Sequence, residues 1–259
     1  MADPLFDVSG KIALVTGGTS GIGAMIAAGL VRNGVKTYIS GRDPGRTDAA
    51  AAALAAEQGG ICIGLAADLA DPAAPEALAA ALADRESRLD ILVNNAGANA
   101  DGALATMTPD DWDTVLNVNL RAVFFLSRAL LPLLRAAATP DDPARIISTG
   151  SIGGLHVPNW EAHSYGASKA AIHHLTRSLA KALGKDHITA NAIAPGPFPS
   201  NMHDTTSEAT RRSIDSYIPL RRAGTAQDAQ GAVLFLASRA GAYVNGHVLP
   251  LDGGYIGAL

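Results

Sequence analysis

Short apolar runs rich in β-branched residues alternate with longer Ala/Leu-rich segments along most of the chain. Residues 12–16, 36–40, 61–66, 90–94, 145–149, 189–194 and 247–251 have the length and composition of strands. Helices are expected between them over 22–33, 48–57, 74–86, 110–137, 164–183 and 226–236. Pro132 should kink or interrupt the longest of these, because it cannot donate an intrahelical hydrogen bond. The strand segments are apolar on both faces, as in a parallel sheet covered by helices on both sides. The expected fold is α/β: a Rossmann-like, doubly wound parallel sheet of about seven strands, with ligand at the strands' C-terminal edge. No linker or composition shift marks a second domain, so residues 1–259 are read as one.

The alternation breaks at residues 195–224, which hold four prolines, two glycines and a short helical piece near 207–216. A long excursion of this kind is expected to be a substrate lid or binding loop, the alternative being a plain crossover.

Composition narrows the function. Of 259 residues, 48% are hydrophobic and 17% charged, which supplies a substantial core and excludes wholesale disorder. A formal charge of −4, with basic residues scattered apart from Arg211-Arg212 and Arg221-Arg222, argues against nucleic acid as a partner. Cys62 is the sole cysteine, so no intrachain disulfide can form, and no metal site is expected. The first eleven residues carry acids and no apolar run, and nothing approaches the roughly 20 apolar residues of a membrane span. A cytoplasmic protein with no membrane partner is expected.

The first chemical signal follows the first strand: Thr16-Gly17-Gly18-Thr19-Ser20-Gly21-Ile22-Gly23. Glycines allow a sharp turn and close approach to a pyrophosphate, while the next helix offers its N–H groups and positive dipole end. Between a strand and a helix, this turn predicts a dinucleotide site. At the end of the second strand stands Ser40-Gly41-Arg42-Asp43. Arg42 suits the 2′-phosphate of NADP(H), which is preferred over NAD(H). Asp43 argues the other way, unless before Pro44 it serves the turn.

Tyr165-Gly166-Ala167-Ser168-Lys169 places Tyr and Lys on one helical face, about 6 Å apart along the axis. An ammonium about 4 Å from the phenol would favour the phenolate by roughly 4 kcal/mol, or about 3 pKa units, bringing it into the range of acid–base catalysis. Alone, such a pair occurs by chance on many helices.

The glycine turn and this pair are joined by Asp68-Leu69, Asn94-Asn95-Ala96-Gly97, Asn117-Val118-Asn119-Leu120, the segment 148–151, Asn191–Gly196 and Leu251-Asp252-Gly253-Gly254. In this order, the motifs resemble the short-chain dehydrogenase/reductase family along nearly the whole chain. The resemblance implies Tyr165 as general acid in reduction, Ser151 as hydrogen-bond partner of the substrate carbonyl, Lys169 on the nicotinamide ribose and Asn119 positioning a proton-relay water. It implies cofactor contacts at Gly17, Thr19, Ser20, Gly21, Ile22, Gly23, Arg42, Asp68 and Leu69. Further contacts are implied at Asn95, Ala96, Gly97, Pro195, Gly196, Phe198 and Ser200, besides Tyr165 and Lys169. Ser151 precedes Tyr165 by fourteen residues, one more than the family pattern, so the loop between them should bulge. Ser148 is the competing serine.

In that loop, His156 and Trp160 are expected to line the substrate pocket, with Met202 from the lid; solvent or subunit contact is the alternative. Phe198, Met202, Ile214 and Tyr217 should give the lid an apolar side. The lid resembles the 3-oxoacyl-thioester reductase branch, including rhamnolipid-associated ketoreductases, so a 3-oxoacyl thioester or similar ketone is the expected substrate. Sugar-acid, polyol, steroid and xenobiotic dehydrogenases of the same family stay open, as does a non-catalytic NADP-binding redox sensor. The four lid arginines could meet a phosphopantetheine or an acidic carrier, or form a solvated rim. His173 and His174 are expected in packing or an interface, Trp112 in the core, and Cys62 as an inert thiol. The resemblance implies a homotetramer or homodimer built on the helices over 110–137 and 164–183.

Overall fold

The computed structural model describes residues 4–100, 102–157, 161–199 and 207–258. Seven strands among them form one parallel sheet: β1 (Ile12–Thr16), β2 (Lys36–Gly41), β3 (Cys62–Ala66), β4 (Ile91–Asn94), β5 (Ala144–Thr149), β6 (Ile188–Pro195) and β7 (Val248–Leu251). Their order is β3-β2-β1-β4-β5-β6-β7. The chain winds outward from β1 through β2 to β3, then returns to add β4 on the other side of β1. Ala13 pairs with Ile91 there, and Ile12 with Lys36 on the other flank. The gap between the β1 and β4 ends is the switch point where such sheets bind ligands.

Successive strand residues point to opposite faces, and both faces are apolar. Leu14, Leu92 and Ile146 pack under α3 (Ala74–Ala83), α5 (Ala122–Ala129), α6 (Leu131–Ala137) and α7 (His163–Leu183), whose buried residues include Leu78, Leu126, Leu134 and Leu183. Val15, Val93 and Ile147 meet Ile26 and Leu30 of α1 (Gly21–Arg32), Ala51 of α2 (Pro44–Gln58) and Val233 of α9 (Ala226–Ala237). Each fully buried Leu or Ile stabilises by about 1.5–3 kcal/mol, so the two faces carry the fold.

Local signals set the helix ends. Asp43 caps α2 by accepting from Arg46 N at 2.7 Å, Pro44 opens it, and Gly59 closes it at φ 70°. The expected 110–137 helix is divided into α4 (Pro109–Leu116), a π-helical turn at Asn117–Arg121, α5 and α6. The second break falls at Leu130, just before Pro132. Nothing in the apolar pattern announced the π turn.

Trp112 corrects an expectation. It is 42% exposed, because α4 lies on the surface with Val115 as its buried residue. Arg145, by contrast, is buried within β5. Its guanidinium donates to Leu236 O (3.0 Å), Ser238 O (2.9 Å) and Pro143 O, and also meets Asp142, so it closes the C-terminal end of α9. No described helix is long and apolar enough to cross a membrane.

Candidate active site

The crevice is built on Thr16 at the end of β1. Its Oγ1 accepts from Asn95 N (2.9 Å) and Ala96 N (3.0 Å), tying the turn after β4 to the turn after β1. Asn95 returns the link: its amide donates to Thr16 O (3.0 Å) and Gly17 O (3.3 Å), and its oxygen accepts from Thr149 (3.3 Å). The Asn95 side chain therefore holds the crevice together and, with both backbone N–H groups tied to Thr16, the Asn95 and Ala96 carbonyls are what remain for a ligand. Gly17 and Gly21 take left-handed φ values of 63° and 55°. At Gly23 a Cβ would strike the Gly17 carbonyl and the Asn95 amide. No acid occupies the first turn of α1, so nothing there competes with an incoming phosphate.

At the end of β2, Gly41 lets Thr19 sit close, since a Cβ would come 2.8 Å from its Cγ2. Arg42 is exposed, Ser40 is buried, and the Asp43 carboxylate is turned into the α2 cap. The counter-argument raised by Asp43 is thereby met. Asp68 is exposed beyond β3 and accepts from Ala70 N. Leu69 is buried in the core, so only its backbone can serve a cofactor.

The reactive groups lie on α7 and the turn after β5. Lys169 is 4% exposed and donates to Thr149 O at 2.8 Å; its Nζ is 5.5 Å from the Tyr165 ring centroid. Burial pushes its ammonium down to about 8. The Ser151 hydroxyl is near enough to the Tyr165 phenol to lower it, while Ser148 is buried within β5, so Ser151 is the serine that faces the tyrosine. Burial raises the Tyr165 phenol, and the Ser151 hydrogen bond opposes it. Desolvation of the phenolate is the larger influence, so the phenol stands above its ordinary value.

Asn119 sits in the π turn at 1% exposure. Its amide hydrogens go to Ala98 O and Ser168 Oγ, both at 3.0 Å, and its oxygen accepts from Ala98 N at 2.8 Å. A water could therefore meet only its oxygen atoms. Ser168 in turn donates to Tyr165 O at 2.7 Å, so the turn steadies α7 beside the tyrosine. Gly97 joins the two halves of the site: a Cβ there would lie 3.5 Å from Asn119 Oδ1 and 3.8 Å from Lys169 Nζ.

Around this centre the expectations fare unevenly. Ile152–Gly154 forms a single 3-10 turn, with the Ser151 Oγ accepting from Gly153 N. Pro195 ends β6. Gly196 packs tightly on Asp252, where a Cβ would lie 3.0 Å from the Asp252 Cα, and its N–H donates to Leu251 O. Phe198 is buried in the core with its ring against Gly224, which leaves its backbone as the part available to a cofactor. In α8 (Glu208–Tyr217), within the 195–224 excursion, Ile214 is buried and Tyr217 exposed. Arg212 pairs with Glu208 and Arg222 with Asp228, so two of the four arginines of this excursion already have carboxylate partners. Trp160, Ser200 and Met202 lie outside the described residues. His156 is exposed and meets Tyr255 edge-on, ring centroids 5.5 Å apart. That contact from the C-terminal segment had no signal in the sequence. Cys62 is half-buried, its thiol pushed up to about 11 by burial.

His173 is buried against the Ser151 turn, while His174 is exposed. Burial pushes the His173 imidazole down to about 4; the Gly154 backbone opposes this, and the Lys169 and Arg177 charges reinforce it. Below pH 6.5 the unfolded chain takes up this proton and the folded chain does not. Stability is therefore expected to fall by roughly 3 kcal/mol as pH drops from about 6.5 to about 4. Urea titrations at pH 7 and 4.5 should show that His173→Gln loses less than the parent; equal losses would refute the assignment.

A parallel sheet with a glycine turn at its switch point, and a Ser/Tyr/Lys group facing that turn, defines a Rossmann-like oxidoreductase. The family model described as enoyl-(acyl carrier protein) reductase matches residues 17–256. The rhamnolipids biosynthesis 3-oxoacyl-[acyl-carrier-protein] reductase of Pseudomonas aeruginosa is 42% identical over 97% of this chain and 98% of its own. The Pseudomonas aeruginosa RhlG/NADP active-site complex superposes with a TM-score of 0.93 at 42% identity, covering 98% of this chain and 99% of that one. A short-chain dehydrogenase from Burkholderia cenocepacia in complex with NADP gives 0.88 at 37% identity, covering 96% and 99%. The chain belongs to the short-chain dehydrogenase/reductase family.

Proposed function

We propose that the protein uses NADP(H) to interconvert a ketone and its secondary alcohol, with a 3-oxoacyl thioester or similar apolar ketone as substrate. The observation that carries this reading is the grouping of Tyr165 with the Ser151 hydroxyl and the buried Lys169 ammonium, next to Gly97 and the glycine-turn crevice. The Pseudomonas aeruginosa reductase, similar over its whole length, supports the substrate class. The two NADP-bound neighbours support the cofactor.

The residues fit that cofactor. Left-handed Gly17 and Gly21, the acid-free first turn of α1 and the withdrawal of Asp43 into a helix cap all suit an anionic dinucleotide. Gly17 and Thr19 to Gly23 would cradle the pyrophosphate, and Arg42 would meet the 2′-phosphate. Asp68, with the Leu69 backbone, would meet the adenine; Asn95 to Gly97 would line the ribose; Pro195, Gly196 and Ser200 would flank the nicotinamide. Bound NADP(H) supplies or accepts the hydride at the substrate carbon. Tyr165, held protonated by burial, gives its proton to the substrate oxygen, and Ser151 hydrogen-bonds the same oxygen as negative charge develops. Lys169, titrating near 8, can release and regain a proton close to neutral pH and holds the ribose.

We further read residues 1–259 as one domain with its lid over 195–224, working in the cytoplasm as a homotetramer or homodimer. Exposed Trp112 and Phe124, on α4 and α5, support pairing through those helices. The test is oxidation of NADPH and NADH by purified protein against 3-oxoacyl thioesters, simple ketones and keto-sugar acids. NADPH turnover fastest on thioesters is expected. Tight NADPH binding without turnover on any ketone would instead favour a sensor. Arg42→Ala should raise the KM for NADPH about 10- to 100-fold and leave that for NADH nearly unchanged, since one charge-assisted phosphate contact is lost. Equal changes for both would remove Arg42 from the 2′-phosphate site.

A further inference from the structure

His173 follows Lys169 by one helical turn and Tyr165 by two, on the same face of α7. It is 2% exposed. Its ring is slotted between two glycines of the turn that carries Ser151. A Cβ at Gly150 would strike its Nε2, and one at Gly154 would come 2.8 Å from its Cε1. Gly154 also rests on the α7 backbone, where a Cβ would lie 2.6 Å from Lys169 C and 2.7 Å from Ala170 N. The Ser151 N–H points at His173 Nε2 at 3.5 Å, while Nδ1 has no hydrogen-bond partner.

A leucine would fill this slot without burying an unmatched nitrogen, which costs about 1–3 kcal/mol. Stability alone therefore does not account for an imidazole here. We propose that His173 is a positioning residue: its Nε2 lone pair accepts from the Ser151 amide and fixes the Ser151 hydroxyl beside the Tyr165 phenol. The proposal rests on the reading of Ser151 and Tyr165 as the proton-handling pair. It requires a neutral ring with its proton on Nδ1, because an Nε2–H would face the amide N–H donor to donor. Burial of the ring, helped by the Lys169 and Arg177 charges, keeps it neutral against the opposing Gly154 backbone. The two glycines then acquire a reason, since side chains there would drive the turn off the imidazole.

The test compares His173→Leu and His173→Gln with the parent and with Tyr165→Phe. His173→Leu should fold with a Tm no lower than the parent's and keep the KM for NADPH, yet lose about tenfold in kcat. Its kcat should also decline at a higher pH than the parent's, because the Ser151 hydrogen bond that holds down the Tyr165 phenol is weakened. His173→Gln, which places an amide oxygen near the Nε2 position, should restore kcat to within about twofold. Crystal structures should show Ser151 withdrawn from Tyr165 in the leucine variant and in place in the glutamine one. Full kcat and an unmoved alkaline limb in His173→Leu, beside an inactive Tyr165→Phe, would overturn this proposal alone. Persisting turnover in Tyr165→Phe would overturn the reading of the site instead. Should the parent turn over no ketone, the Ser151 position in the leucine variant decides, displacement supporting the proposal and an unmoved serine ending it. If His173→Leu does not fold, His173→Met takes its place.

Discussion

Tyr165→Phe is expected to lower kcat for ketone reduction about 10³-fold while leaving NADPH affinity and Tm close to the parent values. The substitution removes one oxygen from a ring that stays packed on α7, so the loss should fall on chemistry and not on folding. General acid catalysis contributes about 10²- to 10⁴-fold. The middle of that range is expected because Ser151 remains to hydrogen-bond the substrate oxygen and supplies part of the stabilisation. Steady-state kinetics with NADPH and a 3-oxoacyl thioester, with a fluorescence titration of NADPH, would separate the two effects. A kcat within tenfold of the parent would mean that another group delivers the proton. A matched loss of NADPH affinity would mean that the phenol serves binding more than chemistry.

The second large effect is expected at Gly23. Alanine there brings a methyl group against the Gly17 carbonyl and the Asn95 amide, the two groups whose hydrogen bond closes the crevice. Relief requires the turn to open or Asn95 to leave, and forced overpacking of this kind costs about 1–3 kcal/mol. Because the shifted groups are those facing the cofactor, affinity should suffer by a similar amount. A 10- to 100-fold rise in the Kd for NADPH is expected, with a Tm several degrees lower. Gly231→Ala is the matched control. That glycine lies within α9 with nothing inside 4 Å of its added Cβ, so alanine should be neutral or stabilising by up to about 1 kcal/mol. Calorimetric titration of both variants checks the contrast; equal behaviour would show that the Gly23 contact is soft.

Much of this architecture could be read from spacing. The strands announced themselves because each is short, β-branched and apolar on both faces, and the helices because alanine and leucine fill the intervals. Pro132 marked a real break. The glycine turn and the Tyr165–Lys169 pair were visible because both are local: a loop between strand and helix, and two side chains one turn apart. What stayed hidden depends on partners far along the chain. The apolar pattern gave no sign that Trp112 lies on a helix with little to bury it, or that the Phe198 ring packs into the core. The Asn119 side chain is held by Ala98 and Ser168, neither of which is a neighbour in sequence. Asp43 was ambiguous by type alone, and its hydrogen bond to Arg46 N gave it a role. The direction of the Tyr165 phenol was not legible because a pairwise charge argument leaves out desolvation.

The link between Thr16 and Asn95 also bears on when this protein can first hold a ligand. Its two ends are separated by 79 residues. At about 5–20 residues per second, roughly 4–16 s of synthesis pass between the first and the second leaving the ribosome. Throughout that interval the glycine turn is an open loop on a nascent chain, with β1 still lacking the neighbour that completes the switch point. Cofactor in the cell therefore cannot draw the early chain towards its fold, because ligand stabilises only a state in which the site exists. It acts as a late ratchet, trapping the sheet once β4 has docked.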